Sequence, residues 1–252
     1  MSDLEFTGER LIPDKSPPAL EAEHRARYEF AKGTVAGKRV IDLGCGEGYG
    51  SHMLSEVAAS VVGVDISSES IEHAKPTYKA TNLSFEVGDV TKLPFQANEF
   101  DACVCLEVIE HVENPDDLLR EVARILKPDG VFIASTPNGA VKVSSQPNPF
   151  HKKEYSLSQF AGLLRGHFPS DAWDTVIHGQ FARGKRYSAL RVVFKNTRLT
   201  IKGMLGFGKA AVAPSPGSSA GGSAEKSDGF DFRTDRPQLA EYLIAVVKGR
   251  RR

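Results

Sequence analysis

Cysteine is scarce in this chain of 252 residues: Cys45, Cys103 and Cys105 are the only three, and no two form a CxxC pair. An odd, unpaired set argues against a disulfide framework or a thiolate zinc site and predicts buried thiols. Long apolar runs are missing too, none approaching the roughly 20 residues of a membrane span. The start, MSDLEFTGER, has no basic stretch followed by an apolar one, so the expected location is cytoplasmic. Net charge is also absent, because 32 Lys+Arg balance 32 Asp+Glu. That balance excludes a uniformly basic nucleic-acid binder and an acidic disordered chain, and DNA is not an expected partner. No internal repeat is visible.

The zero is a cancellation. Residues 1–178 hold 17 Lys+Arg and 27 Asp+Glu, a balance of −10, and the remainder holds 15 and 5, a balance of +10. The length fits one large domain, or one with an appendage, at about 150 residues per domain.

Apolar, β-branched runs alternate with helical stretches: RVIDL at 39–43, SVVGVDI at 60–66, LSFEVGDV at 83–90, FDACVCLEV at 100–108 and GVFIAST at 130–136. This alternation predicts an α/β fold with a mostly parallel sheet and helices on both faces. A helix is expected over residues 19–32. Another starts at Asn114 as cap, with Pro115, Asp116 and Asp117 in its first turn, Leu118, Leu119, Val122, Ile125 and Leu126 on one face, and Pro128 and Gly130 as its stop. Ser156 and Gln159 form a capping box for a third, ahead of Phe160, Leu163 and Leu164. Strands near 173–177 and 242–247 complete the sheet, the last antiparallel.

The sharpest motif is VIDLGCGEGYG at 40–50, a strand entering a glycine-rich turn that opens a helix. Such glycines let backbone approach a ligand at the carboxyl end of the sheet. Tyr49 stands where a dinucleotide fingerprint wants a third glycine, and Asp42 would face a pyrophosphate with like charge. An acid at that position suits a cationic amino group. Asp65 ends the second strand, where a carboxylate can accept from ribose hydroxyls, and Asp89 follows the third, placed for an adenine amino group.

Taken together, VIDLGCGEGYG, VVGVDI, GDVTKLPF, FDACVCLEVIEHV and ILKPDGVFIASTPN, in that order, resemble the class I S-adenosylmethionine-dependent methyltransferases. The resemblance is strong over residues 38–137 and looser to about 168. It implies a Rossmann-like sheet of seven strands and S-adenosylmethionine as cofactor. By position it implies Gly44, Gly46 and Gly48 along the methionine part and Asp42 at the amino group, directly or through water. Asp65 then binds the ribose and Asp89 the adenine, Leu106 and Glu107 lie beside the reactive methyl, and Cys45, Ile66 and Val90 complete the expected cofactor-binding set.

Glu107, Glu110 and His111 stand at i, i+3 and i+4, one side of a helical turn, and His151 can close over the same cleft. Two readings stay open. These four residues can form a divalent-metal set of mixed N and O donors, because ExxEH, TPN and a later His resemble the metal site of small-RNA 2′-O-methyltransferases, and ExxEH resembles ubiquinone-biosynthesis O-methyltransferases. Alternatively, Glu110 and His111 only brace the strand-helix junction, with His111 as an unaided base or as the partner of a backbone carbonyl; His111, Glu107 and Glu110 are the catalytic candidates.

The FTGERLIP start, HRARY at 24–28 and NPFH at 148–151 look like a bacterial subgroup associated with cell-surface polysaccharide assembly, which implies a sugar hydroxyl as acceptor. A quinone precursor is the alternative acceptor, and a non-catalytic cofactor-binding module the alternative class. Residues 179–209 carry eight Lys or Arg and no acid on a near-helical apolar repeat. They suit an anionic membrane surface at its inner face, or a phosphate-bearing substrate, or simply solvent. The expected organisation is a cap loop and helix at 1–36, the core at 37–178, the basic segment at 179–209, a linker at 210–229, and the final strand with a basic tail at 230–252.

Overall fold

The protein is described by a computed structural model over residues 10–141, 148–182, 225–227, 229–235 and 237–250. Five parallel strands form its first part: β1 (Arg39–Leu43), β2 (Ser60–Asp65), β3 (Leu83–Val87), β4 (Phe100–Leu106) and β5 (Leu126–Pro137). They are joined through α2 (Tyr49–Ser55), α3 (Ser68–Thr77) and α4 (Pro115–Ile125), with α1 (Pro18–Val35) ahead of them. After α5 (Leu157–His167) come β6 (Trp173–Ala182), β7 (Glu225–Ser227), β8 (Phe230–Arg233), a 3-10 turn at Pro237–Leu239, and β9 (Tyr242–Gly249).

The strand order is β3-β2-β1-β4-β5-β9-β6-β8-β7. The last strand is antiparallel to both neighbours, β5 and β6, as expected. Among the described residues the sheet has nine strands rather than seven, because β7 and β8 add an antiparallel hairpin outside β6. Three residues assigned from sequence to the linker, 225–227, are thus an edge strand. Residues 210–224 of that linker and 183–209 of the basic segment lie outside the described residues, as do Phe6–Glu9 of the start.

Alternation along the strands sorts side chains into two cores. Ile41, Leu43, Cys103, Cys105, Phe132, Ala134, Leu243 and Ala245 face α4 and α5, whereas Val40, Ala102, Val104, Val131, Ile133 and Ile244 face α1 and α2. This period of two, apolar on both phases, is what a sheet covered on both faces requires. All three cysteines are buried and free.

Local signals behave unevenly. The Ser156–Gln159 capping box forms. Asn114 precedes α4 without capping it, since its Nδ2 donates to Asp117 Oδ2 (2.6 Å). Leu126 leaves the helix and begins β5, which passes Pro128 with a register shift opposite Phe100 and Ala102. Proline is tolerated at such irregular strand starts. Among the described residues no helix is long and apolar enough to cross a membrane.

Candidate active site

The carboxyl ends of the parallel strands β1, β2 and β4, where the strand order reverses between β1 and β4, open into a cavity of about 590 Å³. This is the switch point at which open α/β sheets bind ligands. Gly44, Cys45 and Gly46 line one wall, with Asp65, Ile66, Asp89, Val90 and Leu106. Gly44, Gly46 and Gly48 all adopt positive φ (69°, 56° and 98°), a region costly for any residue with a Cβ. Close packing adds a second constraint, because a Cβ on Gly44 would collide with Val108, and one on Gly48 would lie 2.7 Å from the Phe85 ring.

Asp65 shapes the turn before it can meet a ligand: Oδ2 accepts from Gly46 N (2.8 Å) and Oδ1 from Ser67 N (2.9 Å). Each oxygen keeps lone-pair capacity toward the cavity. Asp89 Oδ1 accepts from the Thr91 amide and hydroxyl, which holds its carboxyl below the ordinary range. Ile66 is 75% exposed on the cavity wall, an apolar surface offered to a planar ring. Arg10 lines the same end and donates to Ser67 Oγ (3.0 Å) and Ser70 Oγ, which fixes its side chain at the start of α3.

Two predicted cofactor residues are not on the wall. Gly48 lies under Phe85. Asp42 is 0% exposed and accepts from Ser51 Oγ (2.6 Å) and Tyr28 Oη (3.3 Å). It cannot meet an amino group directly, and Tyr28, which does line the cavity, stands over it. Burial pushes the Asp42 carboxyl up to about 7, against the two hydroxyl donors that stabilise its anion.

The other wall comes from distant parts of the chain. Leu20, His24 and Tyr28 of α1 stand at i, i+4 and i+8 along it, and Tyr242 opens β9 beside Pro137. Glu107, Glu110 and His111 follow β4, joined by His151. Glu110, His111 and His151 each bring a ligand atom within 4.8 Å of the others. Glu110 is 0% exposed; Oε2 accepts from Thr136 Oγ1 (3.1 Å), while Oε1 has no hydrogen-bond partner among the described residues. Burial, then the nearby Glu107 charge, pushes its carboxyl well above the ordinary range. His111 Nδ1 lies 3.1 Å from the Phe150 carbonyl, which assigns the proton to Nδ1 and leaves Nε2 as acceptor. The carbonyl-partner alternative is therefore realised, and it does not prevent His111 from acting as a base.

Glu107 does not join this group, contrary to the four-residue expectation. It sits at φ 57°, and its Oε1 accepts from Ser135 Oγ (2.7 Å). Its Oε2 lies 3.9 Å from Nη2 of Arg27, a guanidinium with 0% exposure. Sequence reasoning missed Arg27, Tyr28, Ser135 and Tyr242. The HRARY run was the available signal for the first two; nothing local marks the others.

The sheet with its switch-point cavity, the positive-φ glycine loop, Asp65 at the end of β2 and Asp89 just past β3 form the arrangement that the resemblance to class I S-adenosylmethionine-dependent methyltransferases implies. The methyltransferase-domain family matches residues 41–134. A Mycolicibacterium smegmatis protein described as a probable S-adenosylmethionine-dependent methyltransferase is 32% identical over 170 residues, 65% of this chain and 64% of that protein. A ubiquinone biosynthesis O-methyltransferase of Coxiella burnetii is 35% identical over 116 residues, 45% and 50% of the two chains. The chain thus spans less than two thirds of these relatives. An S-adenosylmethionine-dependent methyltransferase structure from Thermotoga maritima superposes with a TM-score of 0.62 at 14% identity, covering 91% of this chain and 90% of the other. At that identity it shows the fold alone.

Proposed function

We propose that the protein transfers the methyl group of S-adenosylmethionine to a hydroxyl of a sugar in cell-surface glycan assembly. The observation that carries the reading is continuity. One cavity joins the candidate cofactor wall at Gly44, Asp65, Asp89 and Leu106 to the candidate acceptor wall at Glu110, His111 and His151. Glu113 and Asp117 also line it, acceptors suited to a substrate with several hydroxyls.

The sulfonium is an activated donor, so the protein's work is alignment, exclusion of water and removal of one proton. The acceptor oxygen forms a bond to the methyl carbon as the sulfur–carbon bond breaks, its electron pair returning to sulfur to give S-adenosylhomocysteine. His111 Nε2 takes the hydroxyl proton. The Phe150 carbonyl holds the imidazole in the tautomer that can do so.

The three grouped donors also fit a divalent cation of the Mn, Fe, Co or Zn class. Among the described residues Glu110 Oε1 is buried without a hydrogen-bond partner, and the tautomer that the Phe150 carbonyl holds puts a lone pair on His111 Nε2. His151 has neighbours at both nitrogens, Asn148 Nδ2 (3.1 Å) and Glu154 Oε1 (3.4 Å), so a cation would replace one of them. A bound cation would supply acidification of an acceptor hydroxyl; Glu110, His111 and His151 would hold it.

The 35% identity to a ubiquinone biosynthesis O-methyltransferase supports a second reading, a catechol-type quinone precursor as acceptor. An anionic part of the acceptor, or an anionic membrane surface, is assigned to the basic segment. What supports this is composition: eight Lys or Arg and no acid over residues 179–209.

The test is release of S-adenosylhomocysteine across nucleotide sugars, lipid-linked glycans and catechols, with and without chelator. Turnover with a glycan is the expected result, and turnover with catechols alone would shift the assignment to the second reading. Tight cofactor binding without turnover on any acceptor would favour a non-catalytic module.

A further inference from the structure

The two carboxylates after β4 live in different surroundings, although three residues of sequence separate them. Glu110 Oε1 is buried, unpartnered and grouped with two imidazoles on the cavity wall. Glu107 has both oxygens committed elsewhere, one to the Ser135 hydroxyl at 2.7 Å and one toward Arg27 at 3.9 Å. Its amide is bound as well, donating to Ser135 O (3.2 Å) and Ser135 Oγ (3.1 Å). With φ at 57°, its backbone conformation is one that an L-residue adopts only when the surroundings enforce it.

Arg27 is the unusual member. Its guanidinium carbon stands 4.3 Å from the centre of the Tyr242 ring, and Nη1 donates to Gln180 Oε1 (2.8 Å). Gln180 Nε2 in turn donates to the Glu23 carbonyl (3.0 Å), closing a loop back to α1. Nε and Nη2 make no hydrogen bond among the described residues. A buried guanidinium with unfilled donors is costly, and the charge it faces is that of Glu107.

We propose that Arg27 is a positioning residue that divides these carboxylates, holding Glu107 on α1 and Ser135 so that the cation and acceptor group is Glu110, His111 and His151 alone. The inference rests on the metal reading above and accounts for why its donors are three and exclude Glu107. It also gives α1 a task besides packing, since the helix that presents His24 and Tyr28 to the cavity fixes which acid joins the group.

The probe is Mn2+ alone, titrated with S-adenosylhomocysteine present into the wild-type chain and into Glu107→Gln, Glu110→Gln, Arg27→Met and Arg27→Met/Glu107→Gln. Cofactor binding by each variant checks that it is folded, and Arg27→Lys replaces Arg27→Met if the latter is not. Glu107→Gln should keep the Mn2+ affinity within about twofold, and Glu110→Gln should lose at least tenfold. Arg27→Met should raise affinity severalfold by releasing Glu107 as a fourth donor, and the double variant should return to the wild-type value. A gain reversed by the second substitution is an outcome that packing damage cannot produce. A tenfold loss in Glu107→Gln, or no gain in folded Arg27→Met, would overturn the division while leaving the metal reading standing. No Mn2+ binding by the wild-type chain would overturn both.

Discussion

The two walls of the cavity are made in opposite ways. The cofactor wall comes almost wholly from residues 44–106, with backbone doing much of the shaping: positive-φ glycines, and Asp65 accepting the amides of Gly46 and Ser67. The acceptor wall is assembled from α1, the turn after β4, residues 148–151 and the first residue of β9, and side chains set its geometry. A wall built from local backbone tolerates little change anywhere along its turn. A wall built from side chains of distant segments can be altered one residue at a time, which is how one fold serves many acceptors.

The largest expected effect probes the floor beneath both walls. The Asp42 carboxyl releases its proton near 3.8 in the unfolded chain but only at about 7 in the folded one. Between those values the folded state holds the extra proton, so stability falls as pH rises through the window and the loss is complete above it. The shift corresponds to about 4 kcal/mol. Chemical denaturation of the cofactor-free protein from pH 4 to 8 should show Asp42→Asn losing that much less stability than the wild-type chain; parallel curves would mean the burial has no such consequence.

Next comes the acceptor wall. His111→Gln should lower turnover about 100-fold, the scale of a lost general base, with S-adenosylhomocysteine affinity unchanged. A matching loss of cofactor affinity would erase the distinction between the walls. Gly44→Ala should do the converse, weakening S-adenosylhomocysteine at least 30-fold by calorimetry, since left-handed strain of roughly 1–2 kcal/mol adds to the Val108 collision. Smallest is Tyr28→Phe, which removes one donor from Asp42 while keeping the ring against Gly50. Cofactor affinity should fall about fivefold, the worth of one hydrogen bond of roughly 1 kcal/mol; an effect as large as that of Gly44→Ala would make the hydroxyl itself a ligand contact.

The same contrast explains what could be read from the sequence. Gly44, Gly46, Asp65 and Asp89 sit at fixed offsets from strand ends, so hydrophobic periodicity alone carried them to the right edge of the sheet. Asp42 shared that local signal, yet its exposure depended on Tyr28, which reaches it from another helix. Glu107 and Glu110 are indistinguishable by spacing; Arg27 and Ser135 separate them, and both come from elsewhere in the chain. The hairpin β7–β8 was hidden because Phe230 and Phe232, its buried contribution, follow a stretch whose composition speaks for a linker. Leu126 continued a helical repeat, and only pairing with Phe100 drew it into β5.

The place of β9 sets the order in which the molecule can be finished. It lies between β5 and β6, and Ile133 waits for Val246, more than a hundred residues later. Such closure is slow to find. Until residues 242–249 arrive, β5 and β6 each present a bare hydrogen-bonding edge flanked by apolar faces, the geometry that recruits strands from other molecules. Chains halted before β9 are therefore expected to be the ones that aggregate.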